Sequence, residues 1–333
     1  MKPLFDKRFT LLYLLMLSFV FITSSALVLS FVKKTEFNAE VNSVSKVNPD
    51  LPPVPVLGIN TSFPIVSAQA ALAVDWDSMV TLYEKNSDAS LLPASTTKIV
   101  TALVAMDYYS DGQILEVGRI NIEGQKMGLI QGEKMSVKNL LYGLLVYSAN
   151  DAAEVLAQNY CAPRSLGEVG PCGKDSFVIA MNQKAKDLNL ENSFFTNPTG
   201  LDGNGDRIAS TAKDLVRISM VAMENPKFAD IVKTKEITVT SVDGKISHKL
   251  YNINELVGQV EGVLGVKTGW TESARENLVT YIERDNHKVI IALLGSQDRF
   301  GETKELIDWI FGNYSWEEVN PRNNLPLRPE RTP

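Results

Sequence analysis

The chain has 333 residues, 44% hydrophobic and 22% charged, with a formal net charge of −6. This is the composition of a folded globular protein of one large or two small domains. With no basic stripe, it argues against nucleic acid as a partner.

Residues 9–32 are uncharged and mostly apolar, preceded by Lys2, Lys7 and Arg8 and followed by Lys33 and Lys34. A helix of this length is roughly 36 Å long at ~1.5 Å per residue, enough to cross a hydrocarbon core of ~30 Å. The run exceeds a usual signal-peptide core, so residues 1–34 are read as an uncleaved membrane anchor in preference to a cleaved signal. Either way the remainder is exported. Residues 35–66 form a Pro-rich spacer, with Pro49, Pro52, Pro53, Pro55 and Pro64.

The folded part is expected over residues 67–313. Residues 71–75 and 80–83 read as short strands with Trp76-Asp77-Ser78 as their turn. Residues 95–106, 137–145, 151–158 and 211–223 read as helices, the last capped by Ser210 or Thr211 with Asp214 in its first turn. The last third turns β-rich, with strands at 236–240, 278–282 and 288–294 and turns at Asp243-Gly244 and Arg284-Asp285-Asn286. A helix over 302–311 closes the domain, and residues 314–333 read as a polar, disordered tail. Strands at both ends with helices between them fit an α/β protein of the α+β type, an antiparallel sheet flanked by helices plus a helical lobe.

The cysteines, Cys161 and Cys172, bracket a short Pro/Gly-rich loop. In an exported chain that pattern suggests a disulfide. A metal site is not expected, since two sulfurs do not complete a zinc shell and only His248 and His287 stand to add to them. No cofactor is implied.

Three short motifs follow one another: Ser95-Thr96-Thr97-Lys98, Ser148-Ala149-Asn150 and Lys267-Thr268-Gly269. Residues i and i+3 share a helix face, so the Ser95 hydroxyl and the Lys98 amine can meet. A serine hydroxyl is a poor nucleophile until a base takes its proton, and a buried lysine can be that base. The helix N-terminus adds free N–H groups that favour an oxyanion near Ser95. Histidine is a weak rival as base, because only His248 and His287 exist and no Gly-x-Ser-x-Gly elbow surrounds Ser95. Each motif alone is common; all three in order, in an exported chain, mark a serine hydrolase.

The triple is that of penicillin-binding proteins and class A β-lactamases. The segment Leu92-Pro-Ala-Ser-Thr-Thr-Lys-Ile-Val-Thr-Ala-Leu103 resembles the nucleophile segment of D-alanyl-D-alanine carboxypeptidases, the small penicillin-binding proteins. Ser148-Ala-Asn-Asp-Ala-Ala153, Thr196-Asn-Pro-Thr-Gly-Leu-Asp202 and Ser210-Thr-Ala-Lys-Asp-Leu215 are similar to further signatures of that family. The resemblance implies a β-lactamase/transpeptidase-like fold, a peptidoglycan stem peptide as substrate and β-lactams as covalent inhibitors. It implies that Ser95 is acylated, Lys98 is the base, Ser148 relays a proton and Asn150 binds the substrate backbone. Lys267 and Thr268, with Arg299 in support, would bind the terminal carboxylate; the Ser95 amide and a strand amide after Gly269 would form the oxyanion hole.

The chain departs from the family pattern at Thr199, where His is frequent, and at Arg275-Glu276, where a small-Gly-aromatic run is usual. A β-lactamase is disfavoured because no Glu-x-x-x-Asn follows the second motif in the right place. A D,D-endopeptidase stays open as an alternative, and a silent cell-wall-binding module is opposed by the intact motifs.

Overall fold

The computed structural model describes residues 51–59, 61–163, 169–203 and 208–318. The anchor segment expected at 1–34, residues 35–50 of the spacer and residues 319–333 of the tail lie outside these. No helix among the described residues is long and apolar enough to cross a membrane.

The chain opens with β1 (Val54–Leu57), β2 (Ala70–Asp75), β3 (Thr81–Lys85) and a 3-10 turn (Ala94–Thr97) that runs into α1 (Lys98–Tyr108). The middle holds β4 (Ile114–Glu116), β5 (Lys134–Ser136), α2 (Val137–Leu145), α3 (Asn150–Gln158), β6 (Cys161–Pro163), β7 (Val169–Cys172), α4 (Lys174–Asp187), α5 (Ala212–Glu224) and α6 (Pro226–Val232). It ends with β8 (Glu236–Thr240), β9 (Ser247–Tyr251), β10 (Val263–Thr271), β11 (Arg275–Arg284), β12 (His287–Ser296), α7 (Arg299–Asn313) and β13 (Tyr314–Glu317).

The central sheet has the order β10-β11-β12-β2-β3 and is antiparallel throughout. It draws on both ends of the folded region, as the distribution of strands along the sequence predicts. The strands β2 and β12 are continuous apolar runs because both faces of the sheet are covered. With side chains alternating along a strand, Ala70, Leu72, Val74, Ile290, Ala292 and Leu294 face a core shared with α1–α6. Ala71, Ala73, Val289, Ile291 and Leu293 face a second core with Leu306, Ile307 and Ile310 of α7. The β11–β12 turn falls at Asp285 and Asn286, both with left-handed φ, as a two-residue hairpin requires.

Local signals explain the helix starts. Thr211 caps α5 by accepting from the Asp214 N–H at 3.0 Å, and Ser136 caps α2 from Asn139 at 3.3 Å. Every residue from Lys98 to Ala105 is buried, so α1 runs through the middle of the helical lobe, as a helix apolar on all sides must.

Three findings differ from the sequence reading. Ser95 sits in the 3-10 turn and not in the helix proper, which begins at Lys98. The strands β1 and β13 pair antiparallel, Val54 with Glu317 through Leu57 with Tyr314, in segments read as spacer and tail. Their partners stand far apart in sequence and carry no local signal. The polar helix α4, buried through Ser176, Phe177, Met181 and Ala185, had no strong apolar stripe to reveal it. The cysteines are cross-strand partners on β6 and β7 and form a disulfide.

Candidate active site

The first side of the site is the turn before α1. Ala94 and Ser148 both hold left-handed φ, +48° and +60°, a conformation non-glycine residues rarely adopt and which recurs at functional sites. The first turns the chain into the 3-10 turn, where side chains at i and i+3 eclipse, so Ser95 and Lys98 stack. Lys98 Nζ lies 2.8 Å from Ser95 Oγ. It also donates to Asn150 Oδ1 at 2.7 Å and to the Thr199 carbonyl at 2.7 Å.

The donor inventory decides what this amine can do. A neutral lysine has two N–H bonds and one lone pair. Asn150 Oδ1 and the Thr199 carbonyl only accept, so they take the two protons. Ser95 Oγ is the one partner with a proton to give, and the lone pair therefore faces it. Lys98 is 0% exposed. Burial pulls its ammonium down to about 7, opposed by the nearby Asp151 carboxylate.

The Thr199 carbonyl is set by a tight turn. Asn197 Oδ1 accepts from Thr199 N, Thr199 Oγ1 and Gly200 N at 2.8 to 3.1 Å. Gly200 has φ +80°, and a Cβ there would lie 1.9 Å from the Ala94 carbonyl; only glycine fits. The Thr199 side chain thus holds the turn while its backbone serves the lysine. Sequence reasoning marked Thr199 as a departure and missed this carbonyl, because a backbone acceptor has no residue signature.

The second side is β10. Lys267, 1% exposed, donates to Ser148 Oγ at 2.7 Å and to the Thr268 carbonyl at 2.9 Å. Burial first, then the charges of Lys98 and Arg299, hold its ammonium well below the ordinary value. Gly269 lets the strand approach the turn: a Cβ would stand 3.0 Å from both Pro93 O and Ser95 N. Arg299 Nη1 donates to the Gly269 carbonyl at 3.0 Å. Burial lowers the Arg299 guanidinium, opposed by Glu276 and Glu255.

A cleft of about 590 Å³ joins the two sides. Ser95, Ser148, Asn150, Thr268, Gly269 and Arg299 all line it. Lys98 and Lys267 sit just beneath, each bonded to a lining serine. Thr268 Oγ1 and Arg299 Nε are buried with no partner among the described residues, two donors available to an anion. The disulfide hairpin lies elsewhere, against α4. His287 stacks on Trp316 at 4.2 Å, and His248 lies behind the cleft, bonded to Glu133.

The opposite wall was not foreseen. It is the irregular segment 117–133, which contributes Glu123, Gly124 and Gln125 to the lining. Asn150 donates from Nδ2 to the Glu123 carbonyl at 2.8 Å and from its backbone N–H to Gln125 O at 2.7 Å. Asp151, buried at the start of α3, accepts from the N–H groups of Met127, Gly128 and Leu129 at 2.8 to 3.0 Å.

The family model described as D-alanyl-D-alanine carboxypeptidase matches residues 58–298. The D-alanyl-D-alanine carboxypeptidase DacB2 of Mycobacterium tuberculosis is 34% identical over 252 residues, 73% of this chain and 82% of that protein. A D-alanyl-D-alanine endopeptidase of Pseudomonas aeruginosa is 30% identical over 267 residues, 78% of this chain and 81% of its own length. Among solved structures, the Streptomyces K15 DD-transpeptidase superposes with a TM-score of 0.68 at 30% identity, covering 76% of this chain and 100% of that one. With its motifs gathered around one cleft and this match over most of the folded region, the chain belongs to the D-alanyl-D-alanine carboxypeptidase family.

Proposed function

We propose that the protein is a serine D-alanyl-D-alanine carboxypeptidase that removes the terminal D-Ala from peptidoglycan stem peptides through an acyl-enzyme on Ser95. The observation that carries this reading is the buried Lys98 amine 2.8 Å from Ser95 Oγ, where a neutral amine turns its lone pair to the hydroxyl. Neutral Lys98 accepts the Ser95 proton as Oγ adds to the carbonyl carbon of the penultimate residue. The oxyanion is held by the Ser95 amide and the Trp270 amide that follows Gly269. Collapse breaks the C–N bond, and the proton passes from Lys98 by way of Ser148 to the departing amine. Water then adds to the Ser95 ester, with Lys98 again taking a proton, and releases the shortened peptide.

Asn150 keeps a second Nδ2–H for a substrate carbonyl. Lys267, Thr268 and Arg299 bind the terminal carboxylate, and charge-assisted hydrogen bonds suit that pairing. The unpartnered Thr268 Oγ1 and Arg299 Nε support it. β-Lactams, which mimic the acylating peptide, act as covalent inhibitors. The catalytic body works outside the cytoplasm, with residues 1–34 delivering it there as an anchor or a signal. The disulfide supports an oxidising compartment.

The test is intact-protein mass spectrometry with a penicillin: one adduct on the Ser95 peptide is expected, and an adduct surviving in Ser95→Ala refutes the assignment. A second reading, D,D-endopeptidase, is favoured by the relative of that name. Products from a pentapeptide and from a cross-linked dimer separate the two.

A further inference from the structure

Behind the irregular wall lies a buried ionisable pair that the proposed chemistry does not use. His248, on β9, and Glu133, just before β5, have side chains 5% and 0% exposed. His248 Nε2 is 2.8 Å from Glu133 Oε1, and Nδ1 is 3.0 Å from the Met127 carbonyl. The other carboxylate oxygen, Glu133 Oε2, accepts from the Ile130 N–H at 3.0 Å.

Counting protons settles the state of this pair. A carbonyl only accepts, so Nδ1 carries a hydrogen toward Met127 O. In a neutral imidazole Nε2 would then be an acceptor. A carboxylate facing it would place two acceptors 2.8 Å apart in a buried site, which is strongly unfavourable. One further proton must lie between Nε2 and Oε1, as imidazolium with carboxylate or as imidazole with carboxylic acid. The neighbouring charges have other partners. Asp151 accepts from Met127, Gly128 and Leu129, and the exposed Lys249 and Lys134 pair with Glu236 and Glu116.

The pair matters because of what it holds. Segment 117–133 has almost no regular structure of its own; Met127 and Glu133 attach it to His248 of β9, and Glu133 also holds Ile130 within the segment. The same segment presents the Glu123 carbonyl to Asn150 Nδ2. That bond decides which end of the Asn150 amide faces Lys98; reversed, the amide would aim N–H groups at an amine that needs an acceptor. We infer that Glu133 and His248 are positioning residues for the reaction: the proton they share ties down the wall that orients Asn150 toward Lys98. This rests on the hydrolase reading above.

The test is hydrogen exchange of the full-length protein at fixed pH, read as protection factors over residues 121–131 with α1 as internal control. Glu133→Ala removes the partner of Nε2 and the acceptor of the Ile130 N–H, and protection of the wall should fall about 10-fold or more, while α1 holds. In Glu133→Gln the amide N–H can donate to neutral Nε2 and the oxygen can still accept from Ile130, so the wall stays protected. Glu133→Ala should also slow second-order acylation of Ser95 by a penicillin, and Glu133→Gln should restore it. Coinciding Glu133→Ala and Glu133→Gln exchange profiles would overturn the inference, as would a Glu133→Ala wall as protected as the wild type. A wild type that penicillin leaves unmodified defeats the hydrolase reading instead, and the exchange profiles still decide the role of the pair.

Discussion

The two sides of the cleft each bury a lysine, and they differ in what surrounds it. On the helical side, Lys98 is bonded to three oxygens from three separate segments, and an acid, Asp151, partly offsets its burial. On the strand side, Lys267 is bonded to Ser148 and to its own strand, and its charged neighbours are cations, Lys98 and Arg299. Burial is nearly equal, so the sign of the neighbours separates the two amines. The helical side suits the proton exchange proposed for Lys98. The strand side concentrates positive groups that repel one another until an anion arrives, which suits recognition of a carboxylate. The supports differ as well. The strand side is placed by a backbone ladder, the helical side by turns and by a wall tied through a few polar side chains.

Ranked by their effect on acylation, four changes break or sharpen this comparison. Lys98→Arg keeps the charge and removes the base. Acylation should fall at least about 100-fold in stopped-flow measurements with a penicillin. Because burial disfavours the ammonium, Lys98 is neutral above about 7, so wild-type acylation should be lost as pH falls through that value. A limb at the same pH in Lys98→Arg would assign the titration elsewhere.

Arg299→Ala tests the strand side. The kcat/KM on a D-Ala-D-Ala peptide should drop roughly 10- to 150-fold, the worth of one charge-assisted hydrogen bond. On the C-terminally amidated peptide, wild type and variant should match. Equal losses on both would remove Arg299 from carboxylate binding.

Asp151→Asn removes the acid that distinguishes the helical side. Without it the Lys98 ammonium is less favoured, so the acylation limb should move to lower pH. Loss of a carboxylate that accepts three wall N–H groups should lower unfolding stability by about 1.5–3 kcal/mol. An unmoved limb would show that Asp151 supports the wall alone. The smallest effect belongs to the disulfide, which lies away from the cleft. Replacing Cys161 and Cys172 by Ala should cost about 3 kcal/mol in the chain-entropy picture and leave acylation unchanged. A large loss of acylation would tie the hairpin to the site.

What could be read in advance was what repeats or lies close in sequence. Ser95 and Lys98 are three residues apart, and a single turn is enough to bring them together. The strands β2 and β12 announce themselves as apolar runs, and α5 by its cap. The pairing of β1 with β13 was not legible, nor was α4, whose buried positions are sparse. The wall segment 117–133 was missed entirely, since no helical or strand period marks it.

The sequence by itself determined the chemistry: a serine, an amine within one turn of it, and two further motifs that name the reaction class. Local geometry is sufficient to pair the serine with the amine, because spacing along a helix or turn sets which side chains share a face; the reaction class follows from the family resemblance that the three motifs carry. Only the tertiary structure decided how that chemistry is switched on. The neutral state of Lys98 comes from burial by segments more than 50 residues away, Asn150 and the Thr199 carbonyl among them. The pairing of Glu133 with His248, 115 residues apart, is of the same kind. Desolvation and long-range hydrogen bonds depend on which distant segments the fold brings together, and residue order along the chain does not state that.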